Sequence, residues 1–321
     1  YLEAGIEART RFTKNRLCRF LRLGFEYFPG VKSIGKTSDN TRTRDWCHNR
    51  SGSGRRTVFP ATGYACNSKS LYQLRALACE NRRYNACESN QTFGVQRDGA
   101  MSEYLLVPWE KIIADNAISV RDFALVEPMS VGFHAVDRAT VTDSDTVMII
   151  GCGMIGIGAI VRAVIRGAKV IAVDVDDKKL TLARRLGVHY TINSSKENVH
   201  EKVREITHKR GSDVIIEAVG RPDTYLAAIS EVSFTGRVVY IGYAKTQVLF
   251  DTQYFVKKEL DIRGSRNAMP CDFKAVMEYM KRGDSLVEEF ITAVYPPEKV
   301  QEALDKWSDD PGKVFRILIH F

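Results

Sequence analysis

The hydrophobic pattern of the chain alternates short apolar runs with longer amphipathic segments. Four largely apolar runs cover residues 147–150, 169–174, 213–220 and 237–243. Apolar runs of this length are typical of parallel strands that are buried on both faces of a sheet. After the first run, apolar residues recur at helical spacing as far as Gly167. This order of strands and helices predicts an α/β fold with a doubly wound parallel sheet.

A glycine-rich turn joins the first run to its helix. Gly151 permits a tight turn, Gly153 lets the backbone approach a pyrophosphate, and Gly156 lets the helix lie close to the strand. The N-terminus of the helix offers free N–H groups to phosphate. Asp174 ends the next strand 23 positions after Gly151, where a carboxylate binds the adenosine ribose and repels the 2′-phosphate of NADP. The pattern predicts NAD binding, and a glycine turn that packs without a ligand is the alternative.

Charge divides the chain near residue 77. Residues 1–77 contain 15 Lys and Arg against 5 Asp and Glu, a balance of +10, whereas the remainder has 32 against 34, a balance of −2. The 321 residues, 44% of them hydrophobic, are enough for two cores. Seven cysteines spread along the chain favour a reducing compartment, the cytoplasm, over a disulfide framework. We expect no signal peptide, because the start of the sequence, "YLEAGIEARTRF", has no apolar core. We expect no membrane partner, because the longest apolar run, 147–161, is glycine-rich and too short to span a bilayer.

Three further segments carry a family resemblance: "GVQRDGAMSEYLLVP" at 94–108, "ALVEPMSVGFHAV" at 124–136 and "KKELDIRGSRNAMPCDF" at 257–273. Together with the glycine turn, they make residues 78–321 similar to the medium-chain zinc-dependent dehydrogenases, the family of sorbitol, threonine and L-galactonate dehydrogenases. The resemblance implies a Rossmann NAD-binding domain at 127–265. It also implies a GroES-like, β-rich catalytic domain, here incomplete, formed by 78–126 and the C-terminal return 266–321, with 1–77 as an anomalous part of it.

The resemblance also implies a reaction, its cofactors and its partners. In this family a zinc ion with an open position binds a secondary alcohol of a polyol or sugar acid, and a hydride passes to C4 of NAD. We expect a small-molecule substrate, no nucleic-acid partner, and a homo-oligomer paired through a sheet edge near 238–250. The residues expected to contact the cofactor are Gly151, Gly153, Met154, Ile155, Gly156, Asp174, Lys179, Ala218, Ile241, Gly242, Tyr243, Ser265, Arg266 and Asn267.

The expected zinc ligands are only partly present. Cys79 and Cys87, eight positions apart, fit the third and fourth structural-zinc cysteines of the family, but residues 73–77 upstream contain no cysteine. Two thiolates cannot close a tetrahedral zinc shell. Glu127 corresponds to a glutamate that approaches the catalytic zinc in the family, and a capping or surface glutamate is the alternative.

Residues 1–77 suggest a shifted reading frame. Back-translated and shifted by one nucleotide, residues 41–46 permit the Gly-His-Glu motif of the family, and residues 69–77 permit the missing upstream cysteine. We therefore interpret 1–77 as part of the catalytic domain read in the wrong frame, which makes Cys47 and His48 accidental. Two alternatives are a catalytically dead NAD-binding remnant and a basic N-terminal arm that binds nucleic acid.

Three other residues have competing interpretations. We expect His134, in a mostly apolar segment, to be a hydrogen-bonded core histidine rather than a metal ligand. Cys152, inside the glycine turn, is expected to be a small filler. Lys179, five positions after Asp174, is expected to reach the adenosine ribose or phosphate, and a solvated helix face is the alternative.

Overall fold

The computed structural model describes residues 19–21, 24–25, 65–66, 77–99, 105–107, 111–283, 285–310 and 312–320. The strands are β1 (Arg19–Leu21), β2 (Gly24–Phe25), β3 (Ala65–Cys66), β4 (Asn90–Gln91), β5 (Leu105–Val107), β6 (Thr146–Ile150), β7 (Lys169–Asp174), β8 (Tyr190–Asn193), β9 (Ser212–Glu217), β10 (Val232–Tyr240), β11 (Asp261–Gly264), β12 (Ala293–Tyr295) and β13 (Ile317–His320). The α-helices are α1 (Leu77–Glu80), α2 (Val120–Arg138), α3 (Met154–Ile165), α4 (Asp177–Arg185), α5 (Val199–Ile206), α6 (Pro222–Glu231), α7 (Gln253–Lys257), α8 (Pro270–Met280) and α9 (Val300–Asp309). Short 3₁₀ turns cover Tyr84–Ala86, Val287–Phe290 and Pro297–Lys299.

Six parallel strands form the central sheet, in the order β11-β10-β9-β6-β7-β8. The chain extends the sheet from β6 in one direction to β8, then returns and extends it from β9 in the other direction. A dinucleotide-binding sheet has this order, and its ligand lies where the direction reverses, at the carboxyl ends of the strands. That point lies between β6 and β9. The predicted doubly wound Rossmann fold is confirmed.

The core lies on both faces of this sheet, because successive strand residues point to opposite sides. On β6, Val147 and Ile149 pack with the cluster that includes α2, α3 and α8. Met148 and Ile150 pack with a second cluster, which includes residues of α5 and α6. Burial on both faces explains why the strands appear in the sequence as continuous apolar runs.

Helix α2 leads into the cofactor-binding unit and packs so closely on α3 that the backbones of the two helices are in contact. The Ser119 hydroxyl oxygen starts α2 by accepting the N–H of Asp122 at 3.1 Å. A Cβ at Gly132 would lie 2.2 Å from the carbonyl oxygen of Ile155, and a Cβ at Gly158 would lie 2.4 Å from that of Met129. The two glycines therefore allow the helices to approach more closely than side chains would permit.

Smaller sheets join the first and last parts of the chain. β13 pairs antiparallel with β2 and parallel with β12, β5 pairs with β1, and β4 pairs with β3. The chain after α8 thus returns to a strand from the first thirty residues. The domain boundaries themselves stay a prediction.

The predicted sheet edge at 238–250 is wrong. Residues 238–240 lie in β10, which is paired on both sides, and residues 241–250 form no strand. The chain crosses through α7 and adds β11 outside β10, so the edge strand is β11.

None of the helices within the described residues has both the length and the apolar composition that a membrane span needs.

Candidate cofactor site

The glycine turn joins β6 to α3 at the point between β6 and β9 where the strand order reverses. Gly151 has φ +96°, a value that favours glycine, and its N–H donates to the carbonyl oxygen of Val173 at 2.8 Å. Gly153 is the N-cap of α3, and its carbonyl oxygen accepts the N–H of Ile157 at 2.8 Å. The first N–H groups of α3 therefore lie at the carboxyl edge of the sheet, where they can bind an anion.

Gly153 and Gly156 differ in the space around them. No heavy atom of the protein lies within 4 Å of a Cβ built at Gly153, whereas a Cβ at Gly156 would lie 1.8 Å from the carbonyl oxygen of Gly151. Gly156 is therefore required by the packing of the turn. Gly153 leaves open space beside the helix N-terminus, which suits the close approach of a pyrophosphate.

Asp174 lies beside the same turn, with its carboxylate held in place. One oxygen, Oδ2, accepts the N–H of Cys152 at 2.7 Å, and the other accepts the N–H of Asp176 at 3.0 Å. The side chain is half-buried, so it still faces the edge of the site. A carboxylate fixed in this position can accept ribose hydroxyls and repels a 2′-phosphate.

Cys152 is a buried filler, as the sequence predicts. Its side chain is fully buried, with the sulfur 3.9 Å from the carbonyl oxygen of Val173. Burial raises the pKa of the Cys152 thiol well above its usual value, and the nearby Asp174 raises it further. The thiol therefore stays protonated and is a poor nucleophile.

Lys179 is buried rather than solvated. Its side chain is buried, and it lies in the first turn of α4. Asp176 is the N-cap of this helix, and its Oδ1 accepts the N–H groups of Lys178 and Lys179. The Lys179 ammonium nitrogen lies 5.6 Å from the centre of the Phe315 ring. The solvated-face alternative is wrong, because the side chain packs against the C-terminal segment. Its contact with an adenosine ribose or phosphate stays a prediction.

Glu217 is an organising residue that the sequence reasoning missed. Its buried Oε1 accepts the N–H of Val219 at 2.9 Å, the N–H of Gly220 at 2.7 Å and the hydroxyl of Thr224 at 2.8 Å. These bonds shape the loop after β9, which contains the predicted residue Ala218. The signal was an acidic residue ending an apolar run, the same signal that identified Asp174.

Two loops meet on the other side of the reversal point. The N–H of Ala218 donates to Ile150 at 2.9 Å, and the N–H of Ile241 donates to Glu217 at 2.9 Å, so both loops continue the sheet's hydrogen bonding. A Cβ at Gly242 would lie 2.3 Å from the Gly220 nitrogen. Ile241 is buried, whereas Tyr243 is 78% exposed. Tyr243 therefore lines an open part of the edge.

The other predicted contacts lie at the same edge of the sheet. Met154 is buried in the first turn of α3, and Ile155 is half-buried next to it. Ser265 follows β11, is buried, and donates its N–H to Tyr240 at 2.9 Å. Arg266 is exposed, and Asn267 has φ +56°. These residues therefore follow the carboxyl ends of neighbouring strands, and their contact with a cofactor stays a prediction.

His134 is a hydrogen-bonded core histidine, as the sequence predicts. Its Nδ1 lies 2.9 Å from Asp272 Oδ2, and its Nε2 lies 3.0 Å from the Asn85 amide nitrogen. Both ring nitrogens are therefore occupied within the protein. His134 is not available as a metal ligand in this arrangement.

The described residues do not complete a zinc site. Cys79, on α1, packs against the buried Cys87, so the two predicted thiols do lie together. Glu127 is half-buried on α2. In the described part of the chain, no group of three or more His, Cys, Asp or Glu side chains could hold a metal ion. Cys47, His48 and the proposed frame signals at 41–46 and 69–76 lie outside the described residues.

Comparison with known proteins identifies the family. A profile described as zinc-binding dehydrogenase matches residues 155–282. L-Galactonate-5-dehydrogenase of Escherichia coli strain K12 is 32% identical over 230 residues, covering 71% of this chain and 67% of the relative. The chain belongs to the zinc-binding dehydrogenases. The predicted family and its reaction class, the oxidation of a small-molecule alcohol, are therefore confirmed.

Two other comparisons extend this result. D-Arabitol-phosphate dehydrogenase of Enterococcus avium is 29% identical over 302 residues, 92% of this chain and 80% of the relative, so the match includes part of residues 1–77. An alcohol dehydrogenase from Escherichia coli CFT073, solved with NADH, superposes with a TM-score of 0.74 at 24% identity, covering 84% of this chain and 77% of that one. This last likeness supports the fold. The shifted-frame interpretation of residues 1–77 stays a prediction.

Proposed function

We propose that the protein is an NAD-dependent dehydrogenase that oxidises a secondary alcohol of a polyol or sugar acid. The proposal is carried by the open space at Gly153, next to the N-terminus of α3 and the fixed Asp174 carboxylate. A dinucleotide needs these three features together: room for the backbone to approach a pyrophosphate, free N–H groups, and an acceptor for the ribose.

The remaining edge residues have positioning roles in this proposal. The loops at 218–220 and 241–243 pack together and, with Ser265, border the side of the reversal point opposite Asp174. NAD, when bound there, supplies the hydride acceptor. The protein residues hold the ring and exclude water, which is how a dehydrogenase fold contributes to hydride transfer.

The substrate class is supported by the relatives. One is named for a sugar acid and another for a phosphorylated polyol, and both kinds of molecule carry several secondary alcohols. Zinc is the expected metal of the family, but the described residues supply only Cys79, Cys87 and Glu127 toward it. The proposal therefore assigns no catalytic step to zinc through these residues.

A cofactor titration tests the proposal. NADH and NADPH are titrated separately against the full chain by nicotinamide fluorescence, and a panel of polyols and sugar acids is screened with NAD. We expect NADH to bind more tightly than NADPH, and Asp174→Asn, which removes the charge but keeps an acceptor, to narrow the difference. Equal or tighter binding of NADPH by the unmodified chain would contradict the assignment. NADH binding without any turnover would support the alternative of a nucleotide-binding remnant.

We also propose that the protein forms a homo-oligomer through β11. This strand is the outer edge of the central sheet on one side, and Ile262 within it is exposed. Large apolar side chains in the segments leading to β11 are also exposed, notably Leu249 at 88% and Val256 at 84%. An unpaired edge strand with neighbouring apolar surface favours association with a second copy.

A further inference from the structure

A buried polar network joins three segments that are far apart in the sequence. At its centre is Asn85, which is 4% exposed although the residues before it, 81–84, are exposed. The Asn85 amide nitrogen lies 3.0 Å from His134 Nε2 and donates to the carbonyl oxygen of Arg266 at 2.7 Å. The main-chain carbonyl oxygen of Asn85 accepts a hydrogen bond from the side-chain amide of Asn267 at 3.0 Å.

Donor and acceptor roles in this network are fixed by its chemistry. The amide nitrogen of Asn85 has two hydrogens and no lone pair to share, so one hydrogen goes to Arg266 and the other to His134 Nε2. His134 Nε2 is therefore the acceptor, and its Nδ1–H donates to the Asp272 carboxylate at 2.9 Å. The same Asp272 oxygen accepts the N–H of Met269 at 2.7 Å, at the start of α8. Each donor in the series has a matching acceptor.

The network connects two places that the proposed function treats separately. Asn85 lies between Cys79 and Cys87, in what we call the cysteine lobe, residues 77–91. Arg266 and Asn267 belong to the crossing segment, residues 265–267, which follows the edge strand and borders the proposed nicotinamide end of the site. Asn267 has φ +56°, a conformation that needs support from its surroundings. Two hydrogen bonds provide that support: the Asn85 side-chain amide donates to the Arg266 carbonyl oxygen, and the Asn267 side chain donates to the main-chain oxygen of Asn85. Alanine at position 85 removes the first bond and keeps the second.

We propose that Asn85 is a positioning residue that holds the crossing segment in its cofactor-binding conformation and couples it to the cysteine lobe. This inference rests on the proposed NAD-binding function. If the two segments order each other, linkage requires the effect to be reciprocal: cofactor binding must stabilise the cysteine lobe as much as an ordered lobe favours cofactor binding. Asn85 acts through the backbone of Arg266 and the side chain of Asn267, so it is not a catalytic residue.

The test compares Asn85→Ala with Asn81→Ala in the full chain. Asn81 is an exposed residue of the same lobe whose side chain is not part of the network, so it is the matched control. Hydrogen exchange without cofactor is measured first. We expect faster exchange at residues 265–269 in Asn85→Ala only, with strands β6 and β7 unchanged, which shows that the sheet still folds. Unchanged exchange at 265–269 would overturn the proposal, whatever the cofactor result.

NADH binding and thiol labelling then test the coupling. If removal of Asn85 leaves about a tenth of the molecules in the binding conformation, NADH affinity should fall about tenfold. Cys87 is 2% exposed, so its alkylation requires the lobe to open. We expect NADH to slow alkylation of Cys79 and Cys87 in the unmodified chain and in Asn81→Ala, and not in Asn85→Ala. The exposed Cys271 and the buried Cys152 are internal references.

The outcomes separate this inference from the proposed function. If the unmodified chain does not bind NADH, the proposed function fails, while the exchange measurement still decides whether Asn85 positions the crossing segment. If the unmodified chain binds NADH and Asn85→Ala binds it equally well, with the same protection of both cysteines, the coupling is overturned and the proposed function stands.

Discussion

Alanine at Gly153 and alanine at Gly156 should affect different properties of the protein, although the two glycines lie three residues apart. At Gly156, the added Cβ would lie 1.8 Å from the carbonyl oxygen of Gly151 and 2.8 Å from its carbonyl carbon. Non-bonded heavy atoms normally stay about 3.5 Å apart, so α3 would have to move by roughly 1.7 Å. Overpacking costs about 1–3 kcal/mol, and because backbone lies on both sides of this contact we expect about 3 kcal/mol.

At Gly153 the same methyl group meets no protein atom within 4 Å, and φ is −70°, which any residue adopts. Alanine is a slightly poorer N-cap than glycine, but it also restricts the unfolded chain by about 0.4–1 kcal/mol, so the net stability change should be small. The methyl group would instead occupy the space proposed for the pyrophosphate. A clash of about 1–3 kcal/mol in the complex corresponds to about 5–150-fold weaker NADH binding.

Two measurements on each variant test this prediction. Thermal unfolding followed by circular dichroism should give Gly156→Ala a Tm about 6–12 °C lower, since 1 kcal/mol corresponds to about 2–4 °C in a domain of about 150–250 residues. Gly153→Ala should unfold at the temperature of the unmodified chain and show weaker NADH binding by fluorescence titration. The reasoning is refuted if Gly156→Ala keeps its Tm, or if Gly153→Ala binds NADH with unchanged affinity.

Three more predictions concern the loop after β9, the sheet edge and the metal. Glu217→Ala removes the buried carboxylate that accepts from Val219, Gly220 and Thr224, so urea unfolding should show a loss of about 1–3 kcal/mol. Glu217→Gln, which keeps Oε1, should lose less; equal losses would contradict this account. In sedimentation velocity, Ile262→Lys should shift the population toward the monomer, because a charge on an edge strand opposes pairing. The control is Val294→Lys, at an exposed position on β12. An equal shift in both variants would argue against β11 as the interface. Metal analysis should find less than one tightly held zinc per chain, since Cys79 and Cys87 supply only two of the four ligands of a structural site. One tightly held zinc per chain would contradict this expectation.

The position of the candidate cofactor site in the fold was predictable because its signals are local. Gly151, Gly153 and Gly156 lie within six residues of one another and directly follow an apolar run, and Asp174 ends the next run. In a parallel sheet these strand ends must meet at one edge, so the sequence order alone brings the residues together. Glu217 carried the same local signal as Asp174, and its role could have been found by the same reasoning.

The sheet edge was not predictable in the same way. Residues 238–250 begin with the apolar residues of a strand, but being apolar does not show whether a strand is central or outermost. The edge depends on whether a later segment pairs outside it. Here the short, polar-flanked β11 does so, with Asp261 opposite Arg237 and Gly264 opposite Tyr240. Register of this kind is set by tertiary packing, which a single strand's composition does not encode.

The Asn85 network lies beyond the reach of sequence patterns for a related reason. Its hydrogen bonds join residues separated by 49, 138 and 181 positions. All six strands of the central sheet, from β6 to β11, lie between His134 and Arg266 in the sequence. The network can therefore form only after those strands have paired, since pairing brings Arg266 back beside α2. Contacts between distant residues close late in folding because their loop entropy must first be offset by local structure. We therefore expect the cysteine lobe to dock onto a cofactor-binding unit that is already folded. Asn85→Ala should then speed hydrogen exchange in the crossing segment and leave exchange at the glycine turn unchanged.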